Sequence, residues 1–118
     1  MKIHPVRIFK LRGQDKVEIH IAPAMPDDDQ NQNYFCTCSI TGLGDHKERR
    51  IMGIDGVQAH HLALIYAATT LYSSDEYARG ELTWMAGNTP FDLGLPMAES
   101  TKAHMEALQP ALNARQES

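Results

Sequence analysis

Residues 55–72 read DGVQAHHLALIYAATTLY, and this stretch decides the fold. Asp55 is placed to accept hydrogen bonds from the free amides of a first helical turn. Gln58, three residues on, is placed to reach back to the Asp55 amide, so the pair predicts a capping box and a helix start. The helix is predicted to run from Gly56 to about Tyr72. Val57, His61, Leu64, Ala68 and Leu71 form one stripe at helical spacing. Leu62, Ile65 and Tyr72 form a second, and Ala59, Ala63, Tyr66, Ala67 and Thr70 fill most of the rest. No Asp, Glu, Lys or Arg occurs from Gly56 to Ser74. One sheet covers one face of a helix, so a helix apolar nearly all round needs further cover. The candidates are a C-terminal helix and a second copy of the chain. The small residues Ala59, Ala63 and Ala67 permit close approach.

Upstream, the period changes from helical to alternating. Val6, Ile8, Phe9 and Leu11 sit in a loose first strand, and Arg12-Gly13-Gln14-Asp15 reads as a turn. Val17, Ile19 and Ile21 alternate with Glu18, His20 and Ala22, the pattern of a half-buried strand. Pro23 and Pro26 should stop it, because proline cannot donate to a ladder. Asp27 to Asn33 is a polar acidic loop. Tyr34, Cys36, Cys38 and Ile40 mark a third strand, Gly42-Leu43-Gly44-Asp45 a tight turn, and about His46 to Ile54 a fourth strand. Residues 1–54 are therefore predicted to be an antiparallel meander.

Downstream, Ser73-Ser74-Asp75 ends the helix, Glu81 to Met85 reads as a fifth strand, and Gly87-Asn88 as a turn. Phe91 to Pro96 is an apolar loop within residues 80–96. A last helix falls at about Ala98 to Asn113, within residues 97–116. Thr101, Met105, Leu108 and Leu112 line one of its faces, Pro110 is placed to kink or split it, and Ala114 to Ser118 should fray. The expected architecture is a single α+β domain over residues 1–118. About five antiparallel strands, four as a meander and one after the helix, pack on the central apolar helix.

The chain has 118 residues, a net charge of −4, six histidines and two cysteines, and a pI near 5.8. This lacks the basic footprint of a nucleic-acid binder. Its longest uncharged stretch is too polar to span a membrane, and no signal peptide is visible at Met1 to Pro5, so a cytoplasmic protein with no nucleic-acid or membrane partner is expected. Charge is uneven. Residues 1–54 hold eight Lys/Arg against seven Asp/Glu, and residues 55–118 three against eight. Lys47, Arg49 and Arg50, with Glu48 among them, read as a solvated strand face and not as a phosphate site.

Cys36 and Cys38 share a strand face, too close in sequence to bridge without strain. Two thiolates fall short of the four ligands of a structural zinc site unless His4 or His20 completes the set. Two small core side chains are the expected reading, with no metal and no cofactor. His60 and His61 diverge by about 100° on a helix and cannot both hold one metal from one face. His61 lies on the first stripe and is expected to be buried and neutral, with His60 at an interface or pocket edge. Asp27-Asp28-Asp29 lacks the glycine and distal glutamate of a calcium loop. Trp84, with Phe91 and Leu93 near it in sequence, is a candidate for an apolar groove or an interface rim. No nucleophile elbow, phosphate loop or dinucleotide fingerprint occurs, so no catalytic residue is assigned.

Three stretches, Gly42-Leu43-Gly44-Asp45, Gly53 to Ala59 with Leu62-Ala63-Leu64, and Leu82-Thr83-Trp84 with Gly87 and Asp92 to Pro96, together resemble a family of small bacterial domains of unknown function. The resemblance covers roughly residues 36–96. The first hairpin fits it more loosely, and the final helix is peculiar to this chain. It implies a small α+β domain and carries over no catalytic residue. The expected function is that of a non-enzymatic interaction protein, homodimeric through the apolar helix, with an antitoxin- or immunity-type protein partner as one form of it. The alternative is a small-molecule binder or small enzyme with a pocket between sheet and helix formed by His60, His61 and Trp84.

Overall fold

The computed structural model describes residues 7–27, 33–44, 47–84 and 91–117. His4, Asp28, Asp29, Asp45, His46, the turn at Gly87-Asn88 and the last residue, Ser118, lie outside the described residues. The chain folds as an α+β domain, an open antiparallel sheet with helices packed on one face.

The strands are β1 (Arg7–Leu11), β2 (Gln14–Ile21), β3 (Met25–Pro26), β4 (Tyr34–Thr41), β5 (Lys47–Gly53) and β6 (Leu82–Thr83). Arg12 and Gly13 both take positive φ, 52° and 82°. That is the signature of the tight primed turn whose twist suits a hairpin, and it joins β1 to β2. β1, β2, β4 and β5 pair in sequence order, and β6 adds to the free side of β1. Among the described residues there are thus six strands against about five expected. The addition is β3, where Met25 pairs Phe35 and Pro26 pairs Tyr34 on the side of β4 that β2 occupies farther along. The chain bends after Ile21, as the prolines predict, but returns to the ladder for two residues. The fifth expected strand shrinks to Leu82–Thr83.

Alternation decides the faces. Phe9, Leu11, Val17, Ile19, Ile21, Cys36, Cys38 and Ile40 point inward and are buried. On the other face stand Glu18, His20, Ser39, Thr41, Glu48 and Arg50, in register across β2, β4 and β5. That face carries no described helix, the usual division of an antiparallel sheet into a packed and a wet side.

Helix α1 spans Gly56–Tyr72 and lies over β4 and β5. It meets the sheet through its smallest residues, since Ala59, Ala63 and Ala67 are completely buried. Gly53, at the end of β5, makes the seat possible. A Cβ there would collide with the Ala59 amide nitrogen and lie 2.8 Å from Ala59 Cα. The face spaced four apart from Ala59 is therefore the sheet face, and the larger stripe through Val57 and Leu64 is not.

The chain beyond α1 roofs the rest of the sheet. Helix α2 (Asp75–Ala78), the segment Phe91 to Pro96 and helix α3 (Glu99–Glu117) bring Tyr77, Phe91, Leu93, Leu95 and Leu112 into the core. Thr101 and Leu112 of α3 are buried, with Met105 and Leu108 packed beside them. Pro110 does not split α3, and the helix passes Asn113 to reach Glu117. Two tyrosines fasten this roof. Tyr72 and Tyr77 meet edge to face with ring centres 5.0 Å apart. The Tyr77 hydroxyl donates to the Phe91 carbonyl at 2.8 Å and accepts from Gln109 Nε2 at 3.1 Å. The Tyr72 hydroxyl accepts from the Leu93 amide at 2.9 Å. Burial pushes both phenols above the ordinary tyrosine range, so they remain neutral at physiological pH.

Gly53→Ala should force α1 off the sheet and cost about 1–3 kcal/mol, the range for overpacking, read as a lower urea midpoint at unchanged slope. Tyr77→Phe strands the Phe91 carbonyl and should cost about 1–3 kcal/mol. A phenol whose pKa is raised by folding stabilises the fold below the unfolded value, near 10, and loses that stability as pH rises through the folded one. Stability of the wild type should therefore fall more steeply than that of Tyr77→Phe between pH 9 and 11.

Candidate interaction surface

The start of α1 is held by its own side chains. Asp55 Oδ1 accepts from the Gln58 amide at 2.8 Å, and Gln58 Oε1 accepts from the Ile54 amide at 2.7 Å. The reciprocal bond thus lands one residue before the expected Asp55 amide. It fixes the corner between β5 and α1 and turns Ile54 and Val57 outward, where they are 72% and 81% exposed.

Along the stripe Val57, His61, Leu64, Ala68 and Leu71, burial changes abruptly. Ala68 and Leu71 are completely buried, Leu64 is half-buried, and His61 and Val57 are exposed. The cover explains the change. Thr101 meets Thr69 at 3.3 Å between hydroxyls, Leu93 meets Tyr72, and Gln109 meets Tyr77. Helix α3 therefore starts beside the last turn of α1 and runs on toward Tyr77, away from Val57. The first two turns of the stripe are left bare among the described residues. There Gly56, Val57, His60, His61 and Leu64 line an open groove of about 550 Å³.

His61 is exposed, contrary to the buried position its stripe implies, because the sheet takes the alanine face and α3 stops short of it. His60 is exposed as well, and neither histidine makes a hydrogen bond or ion pair among the described residues. Trp84 and Phe91 are not part of this groove. Phe91 belongs to the core. Trp84 is half-buried beneath Arg7, whose guanidinium carbon lies 3.8 Å from the ring centre. Arg7 Nη1 donates at 2.9 Å to both the Leu93 and the Gly94 carbonyls. Gly94 leaves room for the indole, since a Cβ there would collide with Trp84 Cζ3. Trp84 thus anchors the roof segment to β1. Sequence reasoning missed Arg7, although it falls in phase with the inward-facing Phe9 and Leu11.

The remaining candidates separate in space. Cys36 and Cys38 are completely buried on the inner face. Burial, reinforced by Cys36, pushes the Cys38 thiol to about 11, and burial raises Cys36 too, so neither is a ready thiolate. His20 lies on the opposite face, with Nε2 2.9 Å from Glu18 Oε1, and cannot join them. Among the described residues no group of three or more His, Cys, Asp or Glu is placed to hold a metal. The cations of β5 are divided by the pleat. Arg49 turns inward to 5.8 Å from the Tyr66 ring centre, and Arg50 turns outward to 3.7 Å from that of Phe35. A second hollow, of about 380 Å³, lies among Leu43, Gly44, Lys47, Thr70 and Ser73 to Glu76.

Among the described residues no helix is long and apolar enough to cross a membrane. No curated protein and no solved structure matches the chain. A family model does, over residues 6–97, and it takes in the whole sheet, α1, α2 and the roof segment up to α3. With that extent of match, the chain belongs to the DUF6968 family, a domain of unknown function.

Proposed function

We propose that this protein is a non-enzymatic interaction module that forms a homodimer through the bare first half of the α1 stripe. The observation that carries the reading is the exposure of Ile54 and Val57, with the groove beside them, on a helix without a charged residue. A two-fold interface sets a surface against itself, so a charge near its axis meets its like. This surface is free of that penalty, whereas a chain of net charge −4 repels its copy elsewhere. The stripe also continues without a break into Ala68 and Leu71, which α3 and the roof segment already bury. A second copy would extend that covering to the helix start.

We place the module in a bacterial cytoplasm, with an antitoxin- or immunity-type protein as a further partner, on the strength of its small size and acidic balance. The competing reading is a small-molecule site. The groove volume is within the usual ~300–1,000 Å³ range and favours it, but Trp84, which that reading needs, packs under Arg7 instead.

Light scattering on the purified chain at micromolar concentration should give twice 13.2 kDa. An unpaired carboxylate costs several kcal/mol at a closed interface. Val57→Asp should therefore weaken association by at least about 100-fold while leaving the circular dichroism unchanged. A wild-type mass of 13.2 kDa would remove the dimer. A small molecule bound at one equivalent in the purified protein and lost from Val57→Asp would favour the competing reading.

A further inference from the structure

We propose that the dimer is dissolved by acid and that His60 and His61 are the groups that take up the protons. The inference rests on self-association through α1 as just proposed, and concerns its regulation.

The groove is built around these two side chains. At 3.6 residues per turn, His60 and His61 project about 50° to either side of the line through Val57 and Leu64. A second copy laid along that line meets an imidazole on whichever flank it favours. Gly56, Val57 and Leu64, the other described lining residues, cannot titrate.

Nothing described around the pair supplies a counter-charge. Helix α1 has no acidic or basic residue between Gly56 and Tyr72. Asp55, at its start, has Oδ1 engaged by the Gln58 amide. Beneath the helix, the inner face of β4 presents Tyr34, Cys36, Cys38 and Ile40, and that of β5 presents Lys47, Arg49 and Ile51 in register with them. Arg49 is drawn to Tyr66, which is about 120–140° around the helix from the histidines. Helix α3 carries Glu99, Lys102, His104 and Glu106, all exposed, and meets α1 at Thr69, two turns beyond His61. Neither histidine pairs with any of these among the described residues.

In the free chain both imidazoles are exposed. In the dimer they are enclosed against the apolar groups that line the groove. The charged form is therefore disfavoured there, so association is full above the ordinary imidazole value and is lost as pH falls through it. An imidazole titrates near 6.5, and each one that must shed its proton weakens association about tenfold at pH 5.5. The dissociation constant should rise about 100-fold from pH 7.5 to 5.5 if one histidine per chain is enclosed, and about 10⁴-fold if both are.

The test is sedimentation equilibrium of the full chain at pH 7.5 and 5.5 at constant ionic strength, with circular dichroism confirming the fold at each pH. It is run on the wild type and on His60→Asn/His61→Gln. His60→Leu/His61→Leu replaces the latter should the polar pair weaken the dimer at pH 7.5. The expected result is loss of at least 100-fold in wild-type affinity and less than threefold in the variant. A wild-type dimer equally tight at both pH values overturns the inference and leaves self-association standing. Equal acid loss in wild type and variant also overturns it, by assigning the protons elsewhere. A wild type monomeric at pH 7.5 removes self-association itself.

Discussion

Everything in this fold depends on how closely α1 sits on β4 and β5. A glycine at 53 and alanines at 59, 63 and 67 bring the helix backbone down to the strand, so the layer between them has room only for small groups. Cys36 and Cys38 fit that layer as compact, weakly polar side chains, and their depth keeps them protonated. Close seating also has a consequence for the rest of the helix. With the alanines spent on the sheet, the larger side chains Val57, Leu64, Leu71 and Tyr72 are turned to the flank. Their cover must come from a second source.

The chain supplies that source for half the helix. The roof segment is tied down at both ends of a short path, by Arg7 on the Leu93 and Gly94 carbonyls and by the Tyr72 and Tyr77 hydroxyls on the Leu93 amide and Phe91 carbonyl. All but the bond to the exposed Gly94 carbonyl join buried or half-buried groups, so breaking one of them leaves its partner unsatisfied. They hold an otherwise irregular segment in one position, which determines where α3 begins. From Thr101 onward α3 can only run toward Tyr77, and the opposite end of α1 stays uncovered.

The α+β class was legible because two periods are plainly written, alternation in residues 14–21 and 34–41 and helical spacing from Asp55. The helix cap was legible because Asp55 and Gln58 stand at fixed offsets. The seating of α1 was not. Periodicity identifies a face by contrast, and a helix without charges offers little of it. The face with the largest residues reads as the core face, yet the sheet took the smallest. His61 was misplaced for that reason alone. Pro110 read as a break because its lost amide bond is visible in sequence, whereas the contacts of Met105, Leu108 and Leu112 that hold α3 together across it are tertiary. Trp84 read as a groove or interface-rim candidate because its partner, Arg7, is more than seventy residues away.

The extent of the family match sharpens the meaning of the bare surface. It ends at residue 97, and α3 begins at Glu99. The matched part therefore includes Leu93, whose amide meets the Tyr72 hydroxyl, and excludes the helix that contributes Thr101 and Leu112. Cover on α1 is then layered. The roof segment, integral to the matched fold, meets the helix at Tyr72, and α3, outside it, meets the helix at Thr69. Each layer buries a further part of one continuous apolar stripe, and each stops where its own chain path turns away. The surface around Val57 is the part that neither layer reaches, so its exposure comes from the path of the chain and not from any polarity in the helix itself.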